Sequence, residues 1–147
     1  MKWITRENAN VDRVACPWLI RRFIDPNAEF IYVPTDQVMA EAERQGAIPY
    51  DVAHVELGHV DGRCSFDSIM LKYNLMGDPA LVELAKIVHA ADIDSEVGTD
   101  SFAPALLALA FGGLDVEADD HRLLDRASFV YDALYAWCAQ QVAAGVA

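Results

Sequence analysis

The 147-residue sequence is poor in basic residues: eleven Lys and Arg stand against twenty-three Asp and Glu, a formal charge of −12. Phosphate backbones and anionic lipid surfaces need a basic partner, so the charge argues against nucleic-acid binding as a main activity and disfavours an anionic membrane surface. A small anion stays open, because a local arginine cluster can oppose the global field. Cysteine is scarce as well. Cys16, Cys64 and Cys138 are odd in number, widely separated and form no C-x-x-C, which argues against a disulfide framework or zinc knuckle and fits a cytoplasmic protein. No signal-peptide core opens the chain, and the longest apolar run, 102–111, is too short for a bilayer. Glycine-rich phosphate loops, serine elbows and H-E-x-x-H are missing, so no nucleotide cofactor is expected. Repeats and linkers are missing too, and the expectation is one domain over residues 1–147.

The densest stretch is Asp12-Arg13-Val14-Ala15-Cys16-Pro17-Trp18-Leu19-Ile20-Arg21-Arg22-Phe23-Ile24-Asp25, strongly apolar and yet carrying three arginines. On a helix turning about 100° per residue, its apolar side chains cover most of the circumference. Such a helix is buried, and a buried guanidinium needs an anionic partner. Either the Asp and Glu of this acidic chain serve, or some of the charge faces a cleft and receives an oxyanion. Arg6, Arg13, Arg21 and Arg22 are the candidate oxyanion-binding residues. Asp12 suits an N-cap, which places Pro17 inside the helix; alternatively the regular helix begins at Pro17 after a loop over 10–16. Cys16 lies beside this charge as a candidate nucleophile, but its apolar surroundings favour structural burial.

Lys2–Arg6 and Glu29–Val33 read as strands, and with the intervening helix they predict a right-handed βαβ unit with parallel strands. Ligands of open α/β sheets bind at the carboxyl ends of such strands, where Arg6 lies near Arg13. Thr35 suits the cap of a helix over 36–45 stopped by Gly46. Segments 52–57 and 63–66 read as two strands of a hairpin turned at Asp61-Gly62. Helices then follow: one opened by Ser65 or Asp67 and running to Leu75, one over 80–92 launched by Asp78-Pro79, one over 102–111 stopped by Gly112-Gly113, and one over 121–142. The last carries a core stripe of Leu124, Ala127, Val130, Leu134 and Trp137. The expected fold class is α+β: a small mixed sheet begun by the βαβ unit, followed by a mostly helical carboxyl half.

A second constellation joins His89 and Asp92, three residues apart on one helix, with His59 and Asp67 from the hairpin region. Asp92 falls within the apolar stripe, where a carboxylate must be paired, hydrogen-bonded or metal-bound. His59, Asp67, His89 and Asp92 together offer two nitrogens and two oxygens to Fe, Zn or Mn, with Glu56 and Cys64 as additional donors. Against this, Asp92 can simply cap a loop and His89 make an ordinary hydrogen bond. His54 and His121 show no constellation.

Trp3-Ile4-Thr5-Arg6, Asp12-Arg13 with Ala15-Cys16-Pro17-Trp18-Leu19-Ile20-Arg21-Arg22-Phe23-Ile24-Asp25, Val55-Glu56-Leu57, His59, Cys64-Ser65-Phe66-Asp67, Asp78-Pro79-Ala80-Leu81, Ile87-Val88-His89 and Tyr131-Asp132-Ala133-Leu134-Tyr135-Ala136 resemble the ChrB-type chromate resistance family, specifically its carboxy-terminal domain. The likeness covers nearly the whole chain. Asp67 departs from it, standing where Glu is expected in many relatives. The resemblance implies a role in sensing or handling chromate or a related oxyanion such as sulfate, in stress response, and supplies no catalytic residue. In the family this domain is joined to regulators of chromate efflux operons, occurs alone, or sits beside sulfurtransferase-like domains. Without the regulators' amino-terminal region, DNA binding is not expected of this chain. Three functions are thus open: an oxyanion-binding domain that also holds a metal, a metal-dependent redox or hydrolytic enzyme, and an interaction domain that forms a homodimer or docks on a regulator through its carboxyl helices.

Overall fold

A computed structural model describes residues 1–8 and 11–147. Lys2–Arg6 forms β1, Glu29–Val33 forms β2 and Ile48–Pro49 forms β3. The sheet order is β2-β1-β3 with both pairings parallel, Lys2 opposite Glu29, Arg6 opposite Val33 and Trp3 opposite Ile48. Central β1 is buried on both faces, so Trp3, Ile4 and Thr5 are all inaccessible. Trp3 enters the main core, whereas Ile4 meets Val38, Ala42 and Ala47 in a smaller one behind the sheet.

The helix α1 spans Val11–Phe23 and contains Pro17. The alternative start at Pro17 is therefore not adopted: residues 11–16 are helical, while position 10 lies outside the described residues. Asp12 sits in the first turn rather than preceding the helix, and it is buried. After β2, a 3-10 turn over Thr35–Gln37 leads into α2, Val38–Gln45, with no cap from the Thr35 side chain. Gly46 ends α2 with φ +64°, the left-handed conformation a glycine adopts freely.

The hairpin reading is corrected. Residues 52–57 and 63–66 form no strands; what survives is the turn, with Asp61 and Gly62 at positive φ and an isolated bridge between Val60 and Arg63. Instead the segment from Asp51 to Arg63 is a wound loop, closed by the Asp51 amide on the Leu57 carbonyl at 3.1 Å. The sheet is consequently all-parallel instead of mixed, and the fold class is α+β.

Four helices complete the fold: α3 (Ser65–Lys72), α4 (Pro79–Asp92), α5 (Ala103–Val116) and α6 (Asp120–Ala143). Asp78 and Asp119 cap α4 and α6 through their side chains. α5 runs through Gly112-Gly113 rather than stopping there, since two glycines weaken a helix without forbidding it. α4 is central, packing on α1, α3, α5 and α6. On α6 the buried side chains are Leu123, Leu124, Tyr131 and Cys138; Trp137 remains 38% exposed. Among the described residues no helix is long and apolar enough to cross a membrane.

Candidate functional site

The carboxyl ends of β1 and β3, the start of α1, the start of α3 and the end of α4 converge. Asp12 reaches from α1 to the amino terminus of α3, where its Oδ2 accepts the amides of Ser65 at 2.6 Å and Phe66 at 3.3 Å. Asp51, just beyond β3, is buried with φ +49°; its Oδ1 accepts the Ser65 hydroxyl at 3.0 Å. From the wound loop, His59 Nε2 comes within 2.8 Å of Asp92 Oδ2 and 3.7 Å of both Asp12 Oδ2 and Asp51 Oδ1. Gly58 lets His59 approach: a Cβ there would stand 2.6 Å from the Val52 carbonyl oxygen.

Two carboxylate oxygens of this cluster, Asp12 Oδ1 and Asp92 Oδ2, are buried with no aligned hydrogen bond among the described residues. Burial first, then repulsion from Asp92 and Asp51, pushes the Asp12 carboxyl well above the ordinary value of 3.8. Burial and Asp51 likewise raise Asp92, against the opposing pull of His59. Such groups demand a proton or a cation. Asp12, His59 and Asp92 each bring a donor atom within 4.8 Å of the others, close enough to share one metal ion.

Two of the four candidate arginines belong here. Arg6 Nη2 and Arg13 Nε each lie 3.5 Å from Asp51 Oδ2. Burial and the neighbouring Arg6 lower the Arg13 pKa, although the surrounding carboxylates oppose the shift. Arg6, Asp51, His54 and His59 line an adjoining cavity of about 380 Å³. The other two arginines face α6. Arg21 lies 3.5 Å from Asp125, while Arg22 pairs with Asp132 at 2.8 Å and stacks over Tyr135. Trp18 Nε1 donates to the same Asp132 oxygen at 2.9 Å.

The sequence-derived metal residues divide between two clusters. His59 and Asp92 join Asp12, whereas Asp67 and His89 join Cys64 in a second group whose donor atoms also lie within 4.8 Å. Glu56 belongs to neither and pairs with Lys72 at 3.0 Å. Asp12 as a donor and Asp51 were missed. Asp12 had a visible signal, a carboxylate in an otherwise apolar helix; Asp51 had none. Cys16 is buried, and burial raises its thiol pKa well above the usual value, which suits packing rather than nucleophilic attack. His54 is exposed in a left-handed turn, and His121 stacks edge-on against Tyr32 at 5.1 Å.

A small parallel sheet with helices around it defines the class as an α+β domain, and a histidine–carboxylate cluster lies at the sheet's carboxyl edge. The family model described as ChrB, C-terminal domain, matches residues 3–138, and the chain belongs to that family. The Protein ChrB of Cupriavidus metallidurans (strain CH34) is 34% identical over 135 residues, covering 91% of this chain and 40% of the relative. The chain thus spans less than half the length of that relative. No solved structure matches. The family is associated with chromate resistance.

Proposed function

We propose that this domain serves chromate resistance in the cytoplasm by holding a divalent transition metal between Asp12, His59 and Asp92 and receiving an oxyanion, chromate or sulfate, beside it. Asp12 carries the reading: a buried carboxylate with one oxygen that has no hydrogen-bond partner among the described residues, in a cluster with Asp92 and His59. Two carboxylates and one imidazole are a hard donor set suited to Mn²⁺ or Fe²⁺, with Zn²⁺ as a competitor. The metal would offset the negative charge that otherwise repels an anion, and Arg6 and Arg13 would add directed N–H donors. Arg21 and Arg22, engaged on α6, serve packing in this reading.

Elemental analysis of protein purified without tag or chelator is the test, followed by thermal unfolding with sulfate and chromate. One equivalent of metal should disappear in Asp92→Asn, and oxyanion should raise the Tm of the metal-loaded chain, as a ligand of the native state must. Metal-free protein that takes up no Mn²⁺ or Fe²⁺ overturns the centre. An unchanged Tm at millimolar oxyanion overturns the anion site.

A docking role for the carboxyl helices is a second reading, favoured by one observation. Leu109, Phe111 and Val116 on α5 and Phe129 on α6 are 57%, 54%, 67% and 76% exposed, large apolar side chains of the kind that mark interaction surfaces when they form a patch. A homodimer would appear as concentration-dependent mass on sizing.

A further inference from the structure

We propose that Cys64, Asp67 and His89 form a second, softer metal site, separate from the Asp12 centre, that takes a thiophilic divalent cation such as Zn²⁺ or Co²⁺. Asp67 Oδ2 is the point of convergence. That single oxygen lies 3.1 Å from the Cys64 amide, 3.3 Å from the Cys64 thiol sulfur and 2.5 Å from His89 Nδ1. Helix capping accounts for the first contact, because Cys64 precedes α3 and Asp67 is its third residue. The capping box also seats the Cys64 side chain over the start of α3, but it does not account for an imidazole nitrogen on the same oxygen.

The imidazole supplies the second observation. His89 Nε2 faces Glu96 Oε2 at 2.5 Å, so both ring nitrogens meet carboxylates. A neutral imidazole has one N–H and can donate to only one of them. With a cation beside Nδ1, that nitrogen offers its lone pair while Nε2–H donates to Glu96. This is the carboxylate–histidine–metal arrangement that fixes the tautomer and strengthens the ligand. Bonds of about 2.0–2.3 Å around a tetrahedral ion set donor atoms about 3.3–3.8 Å apart; the three donors lie within 4.8 Å of one another, so small side-chain rotations would seat one ion among them. Cys64 is wholly buried and its thiol is protonated without metal, raised first by burial and then by Asp12 and Asp67. Coordination would form the S–metal bond and release that proton to water.

The site has an open side. Asp67 and His89 line a cavity of about 610 Å³ together with Arg63, Met70, Met76 and Lys86. Three protein donors leave a fourth position for water or an exogenous ligand, the pattern of a reactive rather than a closed structural metal.

Cobalt titration of the full chain tests the site, because a thiolate–Co²⁺ bond gives a near-ultraviolet charge-transfer band that carboxylate and imidazole ligands do not. The band should appear with one equivalent of Co²⁺, vanish in Cys64→Ser and persist in Cys16→Ser and Cys138→Ser. Serine is a preferred helix N-cap, so Cys64→Ser should retain its fold, verified by circular dichroism without metal. Glu96→Gln should weaken Co²⁺ binding by about 10–100-fold. His59→Ala should leave the band intact, which separates failure of this site from failure of the Asp12 centre. No band at saturating Co²⁺, or a band that survives Cys64→Ser, overturns the proposal.

Discussion

Asp12 caps a helix to which it does not belong: its Oδ2 accepts the Ser65 amide at 2.6 Å across 53 residues of chain. That bond fastens α1 to α3 and fixes Asp12 where His59 and Asp92 can reach it. Two free N–H groups at the start of α3 stabilise the charge on one oxygen, as a helix amino terminus does for an anion. The other oxygen has no hydrogen-bond partner among the described residues.

Asp12→Asn should stabilise the metal-free chain at neutral pH. The Asp12 carboxyl is raised in the folded state, so the folded chain holds its proton to higher pH than the unfolded chain. Stability therefore falls as pH rises from the unfolded value of 3.8 through the folded one, and the full penalty is present above it. Asparagine still accepts the Ser65 amide but carries no charge. The metal-free Tm should rise by about 2–4 °C, the effect of about 1 kcal/mol in a chain of this size. Thermal scans from about pH 4, near the ordinary Asp value, up to about pH 8 should show a flatter slope. The same variant should lose the stabilisation that Mn²⁺ or Fe²⁺ gives.

Arginine substitutions should divide by location. Arg13→Ala should abolish the sulfate-induced Tm rise of the metal-loaded chain, whereas Arg22→Ala should retain it. The Arg22–Asp132 pair is nearly half exposed on both sides, so its loss should cost no more than about 1 kcal/mol. Asp132→Ala should cost more, because the Trp18 indole N–H loses its acceptor as well. Urea melts and sulfate titrations of the three variants make the comparison.

Much of this arrangement was legible in the sequence because it is local. β1, α1, β2, the Asp78 cap and the Gly46 stop all follow from periodicity and punctuation within a few residues. The loop from Asp51 to Arg63 was not legible. Its apolar alternation matches an edge strand, but positive φ at Asp51, His54 and Asp61 breaks the extended run, and buried Asp51 is held by the Ser65 hydroxyl of α3, a partner distant in sequence. β3 is two residues long, too short for any period to show. The same distance effect hid the split among the metal candidates. His89 and Asp92 share a helix, yet one turn of rotation gives them different partners: Asp67 and Glu96 for the first, Asp12 and His59 for the second.

Gly58→Ala should disturb one centre and spare the other. Its Cβ would press on the Val52 carbonyl oxygen, a backbone atom that cannot rotate away, and on Val55. Overpacking of this kind costs about 1–3 kcal/mol, and relief requires the loop carrying His59 to shift. Affinity for Mn²⁺ or Fe²⁺ should fall while the Co²⁺ charge-transfer band assigned to Cys64 stays. Isothermal titration with each metal separates the two effects.

His89 should give the metal-free chain a pH dependence opposite to that of metal binding. Burial alone lowers its pKa, but hydrogen bonding and charge from Asp67, then Glu96, outweigh burial and leave it above 6.5. A histidine raised on folding stabilises fully below its unfolded value, and that contribution is lost as pH rises through the folded one. Chelator-treated protein should therefore lose stability from about pH 6.5 upward, and His89→Asn should remove this part of the slope. Co²⁺ affinity should instead increase over the same interval, since His89 must shed its proton and Cys64 must ionise before either binds. Denaturant melts of chelated protein and Co²⁺ titrations across that interval measure both slopes. Parallel slopes would mean that His89 only pairs with its two carboxylates and gives no nitrogen to a metal.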